Sequence, residues 1–268
     1  MVGLRRVVAG KVAGRSYVAR IPSYVKGSWA QSRACFDPPE TFERHGGPPL
    51  LLVPGLFCTP SVFNRLGKAL ERRGADVFLP PRAYPIPFGM LANICRLETA
   101  ASLLAQDLAA LRWREGVERL TIVAHSNGVL ISLLALSQPE AAPGPLPEVQ
   151  GVIALACPFH GAPVAALLGP IVPACDDIRP GSPILARVQE HAALVRTVLI
   201  SGFDAIVPEE SQRVPGAPSV FMEGFQHMDF LVGTEEKIGH TAERILEALE
   251  PTEGASGTWT QAMGDSIC

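Results

Sequence analysis

A serine at the tip of a predicted tight turn is the most informative residue of this chain. Ser126 lies within the sequence Ala124-His125-Ser126-Asn127-Gly128, between the apolar runs 120–123 and 129–136. These runs predict a buried strand and a buried helix joined by a sharp turn, which would lift the serine hydroxyl off a sheet. Such a hydroxyl becomes a nucleophile when a neighbouring base removes its proton. The turn should also strain the serine backbone and require small residues two positions to either side.

Two residues near the C-terminus could supply that base and an acid to orient it. Asp204 follows the apolar run 196–200, and His227 follows the apolar run 219–222. Because ligands of parallel α/β sheets bind at the carboxyl ends of the strands, we expect Ser126, Asp204 and His227 to converge there. His227 would take the serine proton and return it to the leaving group. The Asp204 carboxylate would hold the imidazole in the required tautomer.

Other residues compete for these two roles. Glu209, Glu210 and Asp229 are alternative acids close to Asp204 or His227 in the sequence. His240 is an alternative base, although its position in or beside the final predicted helix favours a surface histidine. The sequence therefore predicts the Ser, Asp, His order without eliminating these competitors.

A carbonyl under attack also needs N–H donors in fixed positions, because its oxygen becomes negatively charged. The backbone N–H of Asn127 lies beside the nucleophile at a predicted helix start and is the first candidate. The second donor should come from the loop after the first core strand, and we assign it to the backbone N–H of Leu56.

The elements that must position these residues follow an alternating pattern from residue 49 onward. This pattern predicts a mainly parallel sheet with helices on both faces. Thr59-Pro60 is typical of a helix start, with Thr59 as the N-cap. Residues 158–195 form a long, turn-rich insertion that favours a lid binding acyl chains, and a packed, immobile excursion is the alternative. Strands are predicted over 50–53, 76–79, 120–123, 151–156, 196–200 and 219–222, and helical faces over 59–70, 97–111 and 238–249.

Composition and charge narrow the class of protein. The chain has 268 residues, 47% apolar and 18% charged, which is typical of one globular α/β domain, and it lacks an apolar run long enough for a membrane-spanning helix. Residues 1–36 contribute +7 to a net charge of −3, so residues 37–268 carry −10. The basic segment is interpreted as a solvated arm, with contact to anionic lipid headgroups or a cleaved targeting segment as alternatives. The acidic body and the lack of a recognised motif disfavour nucleic-acid binding.

The predicted organisation is a basic N-terminal arm over 1–48, a catalytic domain over 49–250 and a disordered tail over 251–268. Six cysteines contain no Cys-x-x-Cys pair, so no metal site is predicted, and free thiols are favoured with one disulfide left open. Without a recognisable signal peptide a cytoplasmic location is favoured, with peripheral membrane contact through residues 1–36 and secretion left open.

These motifs together resemble the small bacterial lipases and esterases of the α/β-hydrolase superfamily. The elbow around Ser126 resembles that of the family, with Ala124 where the usual pattern has glycine. Residues 204–227 resemble the family's acid-to-histidine segment, and residues 54–57 resemble its His-Gly-x oxyanion loop, with Pro54 in place of the histidine. The resemblance covers residues 49–250 and implies an α/β-hydrolase fold with a Ser126, Asp204 and His227 triad.

The sequence therefore predicts a serine hydrolase that cleaves carboxylic esters through an acyl-serine intermediate, with no metal or organic cofactor. The apolar insertion favours lipid-like or other hydrophobic acyl groups. An acyltransferase or thioesterase with the same triad, or a catalytically silent scaffold that binds lipid or a partner protein, stays open. The residues expected to contact substrate are Phe57, His125, Phe159, Leu167 and Leu168.

Overall fold

The computed structural model describes residues 30–81 and 93–250. Within these ranges six parallel strands form one sheet in the order β2-β1-β3-β4-β5-β6. Each predicted strand is present, with ends shifted by at most a few residues, so the α/β prediction is confirmed. The strands are β1 (Pro49–Val53), β2 (Asp76–Phe78), β3 (Arg119–His125), β4 (Glu148–Leu155), β5 (Val195–Ser201) and β6 (Ser219–Met222).

Helices cover both faces of the sheet and create two apolar cores, because successive strand side chains point to opposite faces. Leu51 and Val53 of β1 pack in one core and Leu50 and Leu52 in the other. Helices α2 and α3 cover the first core, and α1 and α9 cover the second. The helices are α1 (Asn64–Glu71), α2 (Leu97–Glu115), α3 (Asn127–Ser137), α4 (Ala165–Leu168), α5 (Pro173–Asp177), α6 (Pro183–Gln189), α7 (Glu209–Gln212), α8 (Asp229–Val232) and α9 (Glu235–Glu247).

The start of the first helix differs from the sequence prediction. A 3₁₀ turn over Pro60–Phe63 precedes α1, and the Thr59 side chain does not cap it. Its hydroxyl instead donates to the Cys35 carbonyl at 3.1 Å and contacts the Ser61 hydroxyl at 2.6 Å. Thr59 therefore joins the N-terminal segment to the body of the fold. Because its hydroxyl is engaged there, it does not accept a hydrogen bond from the helix N-terminus.

Residues 30–48 also differ from the predicted solvated arm, because several of their side chains contact the body of the fold. Residues 30–36 are helical and bury Cys35 in the second core. The Phe42 ring lies so close to Gly67 that an added Cβ there would be 2.4 Å from it. The His45 N–H donates to the Asp76 carboxylate at 2.7 Å. Residues 1–29, which hold all but one of the basic residues of the segment 1–36, lie outside the described residues, as do residues 82–92 and the tail 251–268.

The insertion over 158–195 contains α4, α5 and α6, and its second half is anchored on α2. Asp177 caps α2 by accepting the Leu97 N–H at 2.8 Å and pairs with Arg96 at 2.6 Å. The Ala174 N–H donates to the Ile94 carbonyl at 3.2 Å. These contacts favour a packed excursion for the second half of the insertion. Exposed apolar side chains concentrate in the first half, at Leu167, Leu168 and Ile171.

We expect Asp177→Ala to lower the free energy of unfolding by about 1–2 kcal/mol, because it removes the acceptor of a helix N-terminal N–H. Urea denaturation measures this loss, and proteases should then cut within 158–195 faster than in the wild type. Asp176→Ala is the matched control, since Asp176 contacts the same Arg96 at 2.9 Å without capping a helix. Equal losses for the two variants would contradict the capping role.

Candidate active site

Ser126 occupies a strained junction between β3 and α3. Its φ is 54° and its ψ is −131°, a left-handed region that non-glycine residues rarely adopt. Two glycines make the junction possible. A Cβ added to Gly128 would lie 2.7 Å from the Val53 and Pro54 carbonyl oxygens, and one added to Gly55 would lie 2.8 Å from the Ser126 Cβ. The closest neighbours of Gly128 are thus the end of β1, not Ala124 as the turn alone suggested.

The structure brings Ser126, His227 and Asp204 together at the carboxyl edge of the sheet. The His227 Nε2 lies 3.0 Å from the Ser126 Oγ, and its Nδ1 lies 2.8 Å from an Asp204 carboxylate oxygen. All three residues are buried. Since a carboxylate accepts the Nδ1 proton, the Nε2 lone pair faces the serine hydroxyl. The arrangement can therefore move the hydroxyl proton to the imidazole during attack on a carbonyl.

The Asp204 carboxylate is held by its own loop. Its other oxygen accepts the backbone N–H groups of Ile206 at 2.7 Å and Val207 at 3.0 Å. The fully buried Gln212 joins this loop to the end of β5, because its amide exchanges hydrogen bonds with the Ser201 backbone and donates to the Val207 carbonyl at 3.0 Å. Sequence reasoning missed Gln212, since nothing in the surrounding polar residues distinguishes it.

Two of the three competing acids and the competing base have other partners. Asp229 pairs with Lys237 at 2.5 Å and accepts the Gln226 N–H, and Glu209 pairs with Arg213, the residue after α7. His240 lies on α9, where its ring accepts a hydrogen bond from Arg244 at 3.1 Å. None of these contacts reaches the serine.

His125 contacts His227, the proposed base, through a hydrogen bond to its backbone. Its Nε2 donates to the His227 carbonyl at 2.8 Å, and the two rings lie 4.8 Å apart. Burial, and then the nearby His227 charge, lower the pKa of His125 to about 3, so the ring is neutral at ordinary pH. Only 1% of the residue is exposed, which corrects the prediction that it contacts substrate.

The other residues predicted to contact substrate fall into two groups. Phe159 is fully buried in the first core and its carbonyl accepts a hydrogen bond from Gln189, so it supports the insertion instead of facing the cleft. That prediction is corrected because the ring turns inward after β4. Leu167 and Leu168 are exposed on α4, and Phe57 is half-buried in the loop after β1.

The two predicted N–H donors are available for a ligand. Asn127 is the first residue of α3, so its N–H has no partner within the helix. The Leu56 N–H donates to no protein acceptor within residues 30–81 and 93–250.

In the same ranges no group of His, Cys, Asp or Glu side chains could hold a metal ion, and no helix is long and apolar enough to cross a membrane. Five cysteines in these ranges are free thiols.

The parallel sheet, the strained elbow and the serine, acid and histidine order are the features of the α/β-hydrolase fold. Comparisons with protein-family models and with curated protein sequences find no match. Solved structures do match. Lipase BlEst2 of Bacillus licheniformis in its mature form is 19% identical, with 80% of this chain and 95% of that chain covered and a TM-score of 0.58.

Two further solved structures share the fold. Phospholipase PlaB of Legionella pneumophila is 16% identical, with 77% of this chain and 60% of that chain covered and a TM-score of 0.58. A structure reported with LipS and LipT, two metagenome-derived lipolytic enzymes, is 18% identical, with 77% of this chain and 95% of that chain covered and a TM-score of 0.54. At these identities the likeness establishes that the chain has the α/β-hydrolase fold.

We expect the buried, neutral His125 to make the fold acid-labile. Between pH 6.5 and 3 the unfolded chain binds a proton at this residue that the folded chain does not, so the contribution of His125 to stability falls as the pH drops through this window and is constant above it. The contribution is on the order of 1 kcal/mol per pH unit below pH 6. Urea denaturation at pH 8, 6 and 5 measures it, with His125→Gln as the comparison because glutamine can donate to His227 without titrating. Equal slopes for both proteins would contradict this account.

Proposed function

We propose that the protein is a serine hydrolase that cleaves carboxylic esters. The observation that carries the proposal is the pair of hydrogen bonds made by His227, at 3.0 Å to the Ser126 Oγ and at 2.8 Å to Asp204. These are the contacts that activate a hydroxyl nucleophile, because the carboxylate orients the histidine and the histidine accepts the serine proton.

The proposed reaction has two halves. In the first, the Ser126 oxygen attacks the ester carbonyl while His227 takes its proton, and the alcohol leaves with that proton as the acyl-serine forms. In the second, water attacks the acyl-serine with its proton passing to His227, and the acid is released as the serine regains a proton. The N–H groups of Leu56 and Asn127 would stabilise the oxyanion in both halves, because neither N–H is engaged by the described protein.

An ester with an apolar acyl group is the proposed substrate class. The exposed side chains of Leu167, Leu168 and Ile171 lie on an uncharged stretch of the insertion and could contact such a chain. The solved structures that share the fold include a lipase, a phospholipase and a lipolytic enzyme, which supports the same substrate class.

We expect a fluorophosphonate probe to label the wild type but not Ser126→Ala. The same substitution should lower kcat on p-nitrophenyl esters by roughly 10⁴-fold or more, because it removes the nucleophile. Ser137→Ala is the matched control, since this serine lies at the far end of α3 and bonds only its own helix. A series of acyl lengths from two to sixteen carbons should show higher kcat/KM for the longer chains. Labelling of Ser126→Ala, or of neither protein, would overturn the proposal.

We also expect His227→Ala and Asp204→Asn to reduce kcat by several orders of magnitude, and the double variant to lose little more than His227→Ala alone. The reason is that the residues act as a unit, so their losses do not add. Thermal unfolding should show both variants folded. Full additivity of the two losses in kcat would mean that His227 and Asp204 act separately.

The fate of the acyl group distinguishes a hydrolase from an acyltransferase. Release of acyl groups to an added alcohol faster than to water would indicate an acyltransferase instead.

A further inference from the structure

Two side-chain amides bind every carbonyl of the loop that follows β1, residues 54–57, which we call the oxyanion loop. The Asn93 Nδ2 donates to the carbonyls of Pro54 at 2.9 Å and Gly55 at 3.0 Å. The Gln31 Nε2 lies within donating distance of the next two carbonyls, at 3.4 Å from Leu56 and 3.3 Å from Phe57. Four consecutive carbonyls are thus held from outside the loop, by residues that no step of the proposed reaction uses.

The two amides come from segments on opposite sides of the loop in sequence. Asn93 precedes α2, is 1% exposed and adopts a left-handed φ of 61° that aims its side chain at the loop. Gln31 lies in the helical residues 30–36 and also donates to the Cys58 Sγ at 3.1 Å. The Cys35 thiol of the same segment contacts the Phe57 carbonyl at 3.5 Å. The loop is therefore fixed both by the body of the fold and by the N-terminal segment.

Holding these carbonyls also fixes the direction of the N–H groups. In a trans peptide the C=O of one residue and the N–H of the next point in opposite directions, and every described peptide here is trans. Since the Gly55 carbonyl faces Asn93, the Leu56 N–H points away from Asn93. The Phe57 N–H likewise points away from Gln31. Neither N–H donates to a protein acceptor in the described ranges, so both are available to a ligand oxygen.

The loop would not be expected to keep this shape by itself. The Cys58 N–H donates to the Gly55 carbonyl at 3.3 Å and closes a turn in which Phe57 has a φ of 58°. That position of such a turn normally requires glycine, because a side chain strains a left-handed backbone. Gln31 binds the carbonyls on both sides of the strained residue. The loop also touches the nucleophile, since a Cβ on Gly55 would lie 2.8 Å from the Ser126 Cβ.

We propose that Asn93 and Gln31 are positioning residues which hold the oxyanion loop so that its N–H groups face the oxygen of the reacting carbonyl. The inference rests on the proposed function, because it concerns the rate of that same serine. Neither residue touches the substrate. Each acts through the backbone of residues 54–57, and removing either amide leaves Ser126, His227 and Asp204 in contact.

The test measures ester hydrolysis and inhibition by a long-chain trifluoromethyl ketone for Asn93→Gly and Gln31→Met. Glycine accepts the left-handed backbone at residue 93, and methionine keeps the length of the glutamine. The ketone is the probe because the serine adds to its carbonyl. The adduct carries an oxyanion in the position that the oxyanion of the reaction's tetrahedral intermediate would occupy. We expect kcat to fall about 10- to 100-fold with KM within about twofold, and the inhibition constant to rise by the same factor as kcat falls. The pH profile of kcat/KM should keep its shape.

Matched measurements separate positioning from a loss of folded protein. Asn64 is the first residue of α1, away from the loop, and its side-chain amide donates to the Pro38 carbonyl at 2.9 Å. Asn64→Ala removes this amide and should leave kcat and the inhibition constant unchanged. A smaller folded fraction would lower the apparent kcat and leave the inhibition constant of the ketone unaltered. Should Asn93→Gly fail to fold, Asn93→Asp carries the same test, because it keeps the size of the side chain and removes the donor.

The outcomes distinguish the inference from the function on which it rests. An active wild type whose variants at residues 31 and 93 retain its kcat and its inhibition constant would overturn the positioning roles alone. A kcat that falls without any rise in the inhibition constant would do the same. A wild type that neither hydrolyses esters nor binds the ketone would overturn the proposed function, and the positioning roles with it.

Discussion

The strained backbone of Ser126 is the constraint on which the rest of the site depends. A φ of 54° at a side-chain-bearing residue persists only where the surroundings over-determine it, and here β3, β4 and α3 do so. The Ser126 N–H donates to the Leu155 carbonyl of β4 at 2.9 Å, and its own carbonyl accepts the Val129 N–H of α3 at 3.1 Å. Placing β3 between β1 and β4 surrounds this junction with buried strands, which keeps the hydroxyl fixed in space.

The order of strands brings the remaining groups to that hydroxyl. The parallel strands β5 and β6 extend the sheet on the β4 side, so the segments after them carry Asp204 and His227 to the same edge. The oxyanion loop arrives from β1 on the other side of β3. Ser126 thus lies between His227 and the oxyanion loop because of the strand order, and polar contacts such as those of Gln212 and His125 support the loops that carry Asp204 and His227.

Much of this arrangement could be predicted from the sequence. Apolar runs bounded by proline, glycine and polar residues mark all six strands, and the strand ends mark Ser126, Asp204 and His227. The supporting amides could not be predicted, because a side chain that binds a distant carbonyl leaves no periodic pattern. The same limit explains why Phe159 was misplaced, since the position after a strand does not determine whether a ring turns inward. Residues 30–48 lack periodicity, and they are attached to the sheet and its helices by single contacts such as Phe42 on Gly67.

The contact between Gln31 and the oxyanion loop means that the part of the chain which supports this loop begins before the first strand of the sheet. A shortened chain beginning at β1 would keep all six strands together with Ser126, Asp204 and His227. It would lack the amide that holds the Leu56 and Phe57 carbonyls. Trimming the chain to its six-stranded sheet would therefore remove a support of the oxyanion loop, and boundaries for recombinant versions are better drawn ahead of residue 30.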